Sequence, residues 1–196
     1  MKKGNYLKII LRSKKTVFSF KDIALLWRDS SSAARVRINY YVKHGDLYRI
    51  HQGFYAKDKN YNRYELATKI YSPSYISFET VLGKAGIVFQ YYSQIFVTSY
   101  LTREITVDEQ VYSYRKIKDS VLTNSIGIEH KRNYSIATPE RAFLDVVYLN
   151  KDYHFDNLST LDWNKLLEIL PIYQNKRMGK EINFYLKEYG IKHSNS

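Results

Sequence analysis

Apolar residues at Tyr6, Leu7, Ile10 and Leu11 recur at i, i+1, i+4 and i+5, which predicts an amphipathic helix over residues 5–11. Thr16-Val17-Phe18 is short and β-prone. Ser19, with Asp22 three residues on, reads as a variant capping box, and Ile23, Leu25, Leu26 and Trp27 complete a compact apolar helix over 20–27. Arg28-Asp29-Ser30 is a polar turn. Ser30 or Ser31 caps a third helix that runs to about His44, where Gly45 stops it. Leu47-Tyr48-Arg49-Ile50 and Phe54-Tyr55-Ala56 then flank His51-Gln52-Gly53, the pattern of a β-hairpin.

From Lys57 to Arg63 the chain is a polar connector. A helix is predicted near 64–71, broken by Ser72-Pro73-Ser74, and another over 78–84, stopping near Gly86. The period then changes. Residues 95–100, 104–107, 111–117 and 126–129 are β-prone, and the imperfect alternation of 111–117 predicts a half-exposed antiparallel sheet. Residues 119–125 read as a loop. Thr138-Pro139-Glu140-Arg141 is a helix start, followed by the apolar Ala142, Phe143, Val146, Val147 and Leu149. Arg141 and Asp145, at i and i+4, are expected to pair on the surface of that helix. Two further helices are predicted, over 162–170, ended by Pro171, and over 180–189. The expected fold is α+β. A winged helix-turn-helix occupies residues 1–57, a linker 57–63, and a mixed α/β C-terminal domain with an antiparallel sheet residues 64–196.

Charge sharpens this division. The formal net charge is +12. Residues 1–60 hold 14 Lys and Arg against 4 Asp, whereas residues 61–196 hold 17 basic side chains against 15 acidic ones. The excess therefore lies in the N-terminal module, as a polyanion-binding surface requires. On the third helix, Ala34, Ile38, Tyr41 and Val42 fall on one arc and are expected to pack inward. Ser32, Val36, Asn39, Tyr40 and Lys43 lie opposite, with Arg35 and Arg37 flanking that arc on its two sides. A short polar, basic helix face fits the major groove of duplex DNA, where Arg reaches phosphates or a guanine edge and Asn an adenine edge. The candidate DNA-binding residues are Ser31, Ser32, Arg35, Arg37, Asn39, Tyr40 and Lys43 on the helix, with Arg49, His51 and Gln52 on the wing. A winged helix that serves as a protein-binding adaptor is the competing use of the same elements.

Several phrases of the body occur together with such a module in one family. They are Tyr75-Ile76-Ser77-Phe78-Glu79-Thr80-Val81-Leu82, Gly86-Ile87, and Ile136-Ala137-Thr138-Pro139-Glu140-Arg141-Ala142-Phe143-Leu144-Asp145, preceded by Gly45-Asp46-Leu47-Tyr48-Arg49-Ile50-His51-Gln52-Gly53-Phe54-Tyr55. In this order the chain resembles the AbiEi antitoxins of type IV toxin–antitoxin systems over about residues 5–150. After residue 150 it is shorter than the longer members. The resemblance implies an autorepressor whose winged helix binds inverted repeats upstream of its own operon, an arrangement suited to two copies per site. It also implies a C-terminal domain that counters a nucleotidyltransferase-like toxin, in defence against phage by abortive infection. Ser77–Glu79 and Thr138–Arg141 match the family pattern, and both are read as structural, Glu79 bracing its helix and Thr138 with Pro139 starting one.

Other chemistry finds little footing. With no cysteine there is no disulfide framework or thiolate metal site, and a cytoplasmic location follows by default. The run Tyr6–Leu11 is too short, and too interrupted by Lys8, for a signal peptide or membrane span. Twenty tyrosines admit base stacking or an adhesive interface, but Tyr, Lys, Asn and Ile rise together under AT-rich codon usage. The enzymatic alternative is a metal-dependent nuclease built on Asp119, Glu129 and Lys131, a D…ExK arrangement in which acids hold Mg²⁺ and Lys helps activate water. His44, His51, His130, His154 and His193 show no ligand spacing, and Walker, GxGxxG and GxSxG motifs are absent. No enzyme activity and no cofactor are expected.

Overall fold

A computed structural model describes residues 5–190. Its N-terminal part runs α1 (Asn5–Arg12), β1 (Val17–Ser19), α2 (Phe20–Trp27), α3 (Ser31–Lys43), β2 (Tyr48–His51) and β3 (Phe54–Ala56). The capping box forms in full: Ser19 Oγ accepts from Asp22 N at 3.1 Å and Asp22 Oδ2 accepts from Ser19 N at 2.9 Å. Arg28, left-handed at φ 54°, ends α2, and the Ser30 hydroxyl caps α3 by accepting from Ala33 N. The two helices close over a core of Ile10, Phe18, Ile23, Trp27, Ile38 and Tyr41, and Trp27 Nε1 donates to the Tyr6 carbonyl at 2.9 Å.

The small sheet, in the order β1-β3-β2, is antiparallel throughout. Alternation along its strands divides the side chains between two cores. Phe18 and Tyr55 face the helices, whereas Val17, Ile50 and Ala56 belong to the hydrophobic core of the body. Polar contacts reinforce this seam. Glu65, fully buried, accepts from the Thr16 amide at 2.9 Å and its hydroxyl at 2.8 Å, and pairs with Lys69 at 3.1 Å. Between the two parts, Tyr61 is buried.

The body continues as α4 (Arg63–Ile70), β4 (Ser74–Ile76), α5 (Glu79–Lys84), β5 (Ile95–Ser99), β6 (Arg103–Val107), β7 (Gln110–Lys116), α6 (Asp119–Leu122), β8 (Ile128–His130), β9 (Ser135–Ala137), α7 (Pro139–Leu149), α8 (Trp163–Ile169) and α9 (Lys176–Tyr185). Its six strands lie in the order β6-β7-β5-β4-β9-β8. The sheet is mixed rather than antiparallel as expected, because β4 pairs with β9 and β5 with β7 in parallel. Strand runs in a sequence reveal strands but not their partners, and β4 and β9 are too short to show a period at all. Central β5 is buried along its whole length, as a strand covered on both faces must be. Residues 119–122 form one helical turn where a loop was expected. α9 starts four residues early, because Asn175 caps it by accepting from the Arg177 and Met178 amides.

Arg141 and Asp145 do not pair on the surface. Both side chains are fully buried, with Arg141 Nε 3.4 Å from Asp145 Oδ1. Asp145 accepts from Tyr173 Oη at 2.6 Å, Ser77 Oγ at 2.7 Å, Tyr75 Oη at 3.0 Å and Thr98 Oγ1 at 3.3 Å. Arg141 donates to the Val121 and Ile126 carbonyls, each at 2.7 Å. Burial pushes the Asp145 carboxyl up, opposed by Arg141 and the hydroxyls. The expectation failed because α7 packs under the sheet and against α5 and α8, so almost its whole circumference is interior. Gly127 lies against this pair at φ +74°, where an added Cβ meets Arg141 Cβ at 2.9 Å and Ile169 Cδ1 at 2.8 Å. Gly127→Ala is expected to destabilise the fold by about 2–4 kcal/mol, from the left-handed backbone and overpacking together. A urea midpoint equal to wild type refutes this.

Candidate nucleic-acid interface

Because Ala34, Ile38 and Tyr41 are held inside, the opposite face of α3 is turned to solvent. Ser31, Ser32, Arg35, Asn39, Tyr40 and Lys43 are all exposed there, and Arg49, His51 and Gln52 are exposed on the neighbouring hairpin. Gly53, at φ +79°, lets that hairpin turn tightly. Helix and hairpin meet: Arg49 Nη2 donates to Asn39 Oδ1 at 2.8 Å. Arg35, Asn39, Arg49 and Gln52 line one open cavity of about 480 Å³. Its floor is aromatic, with the Arg35 guanidinium 5.7 Å from the Phe20 ring and that of Arg49 5.8 Å from the Tyr55 ring. Cation–π attraction at these distances favours keeping each guanidinium beside its ring. Among the described residues, Arg35, Lys43 and Arg49 form no ion pair, so their charge is available to an anion.

Arg37 departs from the expectation. It is half-buried, its Nε donates to Asp29 Oδ2 at 2.9 Å, and its guanidinium lies 3.6 Å from the centre of the Tyr6 ring. The helical wheel placed it at the edge of the outer arc. A flexible side chain at an edge turns toward a carboxylate and an aromatic face when the fold supplies both. Arg37 therefore ties α3 to α1 and to the turn before it. Val36 and Tyr40 are 72% and 50% exposed and give the same helix face an apolar stripe beside the cations.

The hairpin is also held from behind. The tight turn of β6 and β7 carries Asp108 and Glu109, both at positive φ, and Asp108 accepts from Tyr48 Oη at 2.7 Å and Tyr61 Oη at 2.8 Å. Both phenols are raised above their ordinary value, Tyr48 by the Asp108 bond and Tyr61 first by burial. Tyr48 precedes Arg49, so a carboxylate sixty residues away positions the cationic strand. No local pattern marks this role for Asp108; the sequence signals only a turn between β-prone runs. Asp108→Ala strands two phenol hydroxyls and is expected to cost about 1–3 kcal/mol of stability. Equal unfolding free energies for variant and wild type in urea rule this out.

The trio named for a nuclease, Asp119, Glu129 and Lys131, lies in the body, away from this face. Glu129 and Lys131 pair with each other at 2.6 Å on the exposed strand β8 and its end, and Asp119 opens α6. Among the described residues no three His, Asp or Glu side chains are grouped so as to hold a metal, and no helix is long and apolar enough to cross a membrane. No model of a known protein family matches the chain, and no curated protein is significantly similar to it.

Proposed function

We propose that the N-terminal module is a winged helix-turn-helix that binds duplex DNA, with α3 in the major groove and the β2–β3 hairpin as the wing. The observation that carries this is the set of uncompensated cations on one exposed face, Arg35 and Lys43 on α3 and Arg49 on the hairpin, joined through Asn39. The order helix, strand, helix, helix, hairpin, with the first strand paired to the last, supports the reading. We propose further that the protein acts as antitoxin and autorepressor of a type IV toxin–antitoxin operon. This rests on the ordered AbiEi-like phrases of the sequence and on their meeting in space. Ser77, from the first phrase, and Arg141 and Asp145, from the second, form one buried network.

A gel shift with the DNA upstream of the gene, against a scrambled duplex, tests the repressor half. Co-expression with the neighbouring gene tests the antitoxin half. Equal shifts on both duplexes remove the repressor, and unrelieved toxicity removes the antitoxin. A second reading, a protein-binding adaptor, has the exposed Val36 and Tyr40 in its favour. It predicts no retardation of any duplex.

A further inference from the structure

A second cavity, of about 540 Å³, lies in the body between α4, α5 and the loop from Ile87 to Gln94. Two aromatic rings of that loop stand in solvent, Phe89 70% and Tyr91 87% exposed. The backbone beneath them is tied down. Phe89 N donates to Asp156 Oδ2 at 2.8 Å, the Ile87 carbonyl accepts from Asp156 N at 3.0 Å, and Gln110 Nε2 donates to the Ser93 carbonyl at 2.7 Å. The rings are thus presented by a braced segment, which distinguishes them from singly scattered surface apolar residues.

The cavity has a cationic rim. Lys84 is exposed, sits 4.5 Å from the centre of the Tyr64 ring, and forms no ion pair among the described residues. Arg63 donates to the Asp108 carbonyl at 3.2 Å and is likewise in no ion pair among them. The carboxylate in the wall, Glu79, is neutralised by Arg115 at 3.1 Å. Gln94, half-buried, adds an amide with both donor and acceptor. Aromatic faces, an amide and two uncompensated cations around a space of this volume match a planar heterocycle that carries phosphate.

We propose that this cavity binds a free mononucleotide, its base against Tyr91 and Phe89, its base edge toward Gln94, and its phosphates toward Lys84 and Arg63. The site is separate from the proposed DNA face and does not depend on it.

Isothermal titration calorimetry of the full chain with ATP, GTP, CTP and UTP in turn tests this, with inorganic tripolyphosphate as the charge-only control. Saturable sub-millimolar binding of at least one nucleotide is expected, with tripolyphosphate much weaker. Tyr91→Ala is expected to weaken binding about tenfold by removing a stacking face, with the circular dichroism spectrum and duplex affinity unchanged. Lys84→Ala is expected to weaken the triphosphate more than the parent nucleoside. Binding of none of the four, binding equal to that of tripolyphosphate, or the same affinity in Tyr91→Ala overturns the proposal. Loss of duplex binding alone overturns the DNA reading and leaves this one standing.

Discussion

Replacing Arg141 with methionine is expected to lower the free energy of unfolding by about 3–5 kcal/mol, because it leaves a buried carboxylate without its cation. An i, i+4 pair on a helix surface is worth only about 0.3–0.5 kcal/mol, so the experiment separates the two placements of this pair by roughly tenfold in energy. The Asp145 carboxylate sits in the middle of the body with four hydroxyl donors, and Arg141 also satisfies the carbonyls of Val121 and Ile126. Its loss therefore strands a buried charge and takes one donor from each of those two carbonyls. Against a total stability of about 5–15 kcal/mol for a typical domain, this threatens folding itself. Adding Asp145→Asn to Arg141→Met is expected to recover part of the loss, since the uncompensated charge is gone, and a double-mutant cycle in urea reads the coupling. A single-variant loss below 1 kcal/mol refutes the buried pair as a keystone of the fold.

Duplex affinity is expected to fall by about 1–3 kcal/mol, roughly fivefold or more, when Arg35 is changed to alanine, the loss of one bidentate guanine contact, and to fall further when the wing's Arg49 is changed with it. Lys43→Ala, a phosphate contact in this reading, is expected to weaken all sequences alike and to reduce the slope of log affinity against log salt by about 1. Arg37→Ala makes a contrasting control. Because Arg37 is committed to Asp29 and Tyr6, its loss is expected to cost stability more than specificity. Titrations of operator and scrambled duplex at two salt concentrations discriminate these outcomes. Unchanged operator affinity in the Arg35→Ala, Arg49→Ala double variant sinks the assignment of this face.

The N-terminal elements were legible because local rules governed them. Ser19 with Asp22 capped α2 within the expected bounds, and the inward arc of α3 is the buried one. The apolar Ile23 and Trp27 needed only helical spacing to reveal a packed face. Arg37 escaped because the direction of a long side chain depends on partners from other segments, here Tyr6 and Asp29. Asp108 escaped for the same reason at greater distance: nothing near residue 108 records that Tyr48 and Tyr61 will arrive there.

In the body, β-prone runs at 95–100 and 111–117 were visible, yet the parallel pairing of the strands they form was not, because a strand's composition reports how buried it is and not its neighbour's direction. Ser135–Ala137 is too short for any period and becomes a strand only through β4 and β8 on either side. By itself, then, the sequence determined the α+β class, the caps at Ser19, Ser30 and Thr138, the inward stripe of α3 and the concentration of charge in the first 60 residues, since composition and short-range spacing set each of them. Tertiary structure alone decided that Arg141 and Asp145 are interior, that Arg37 turns inward to Asp29 while Arg35 and Arg49 stay exposed and in no ion pair among the described residues, and that Asp108 braces the hairpin. Each of these depends on bringing together groups dozens of residues apart, where burial and a distant partner, not local spacing, set the energy of a charged side chain.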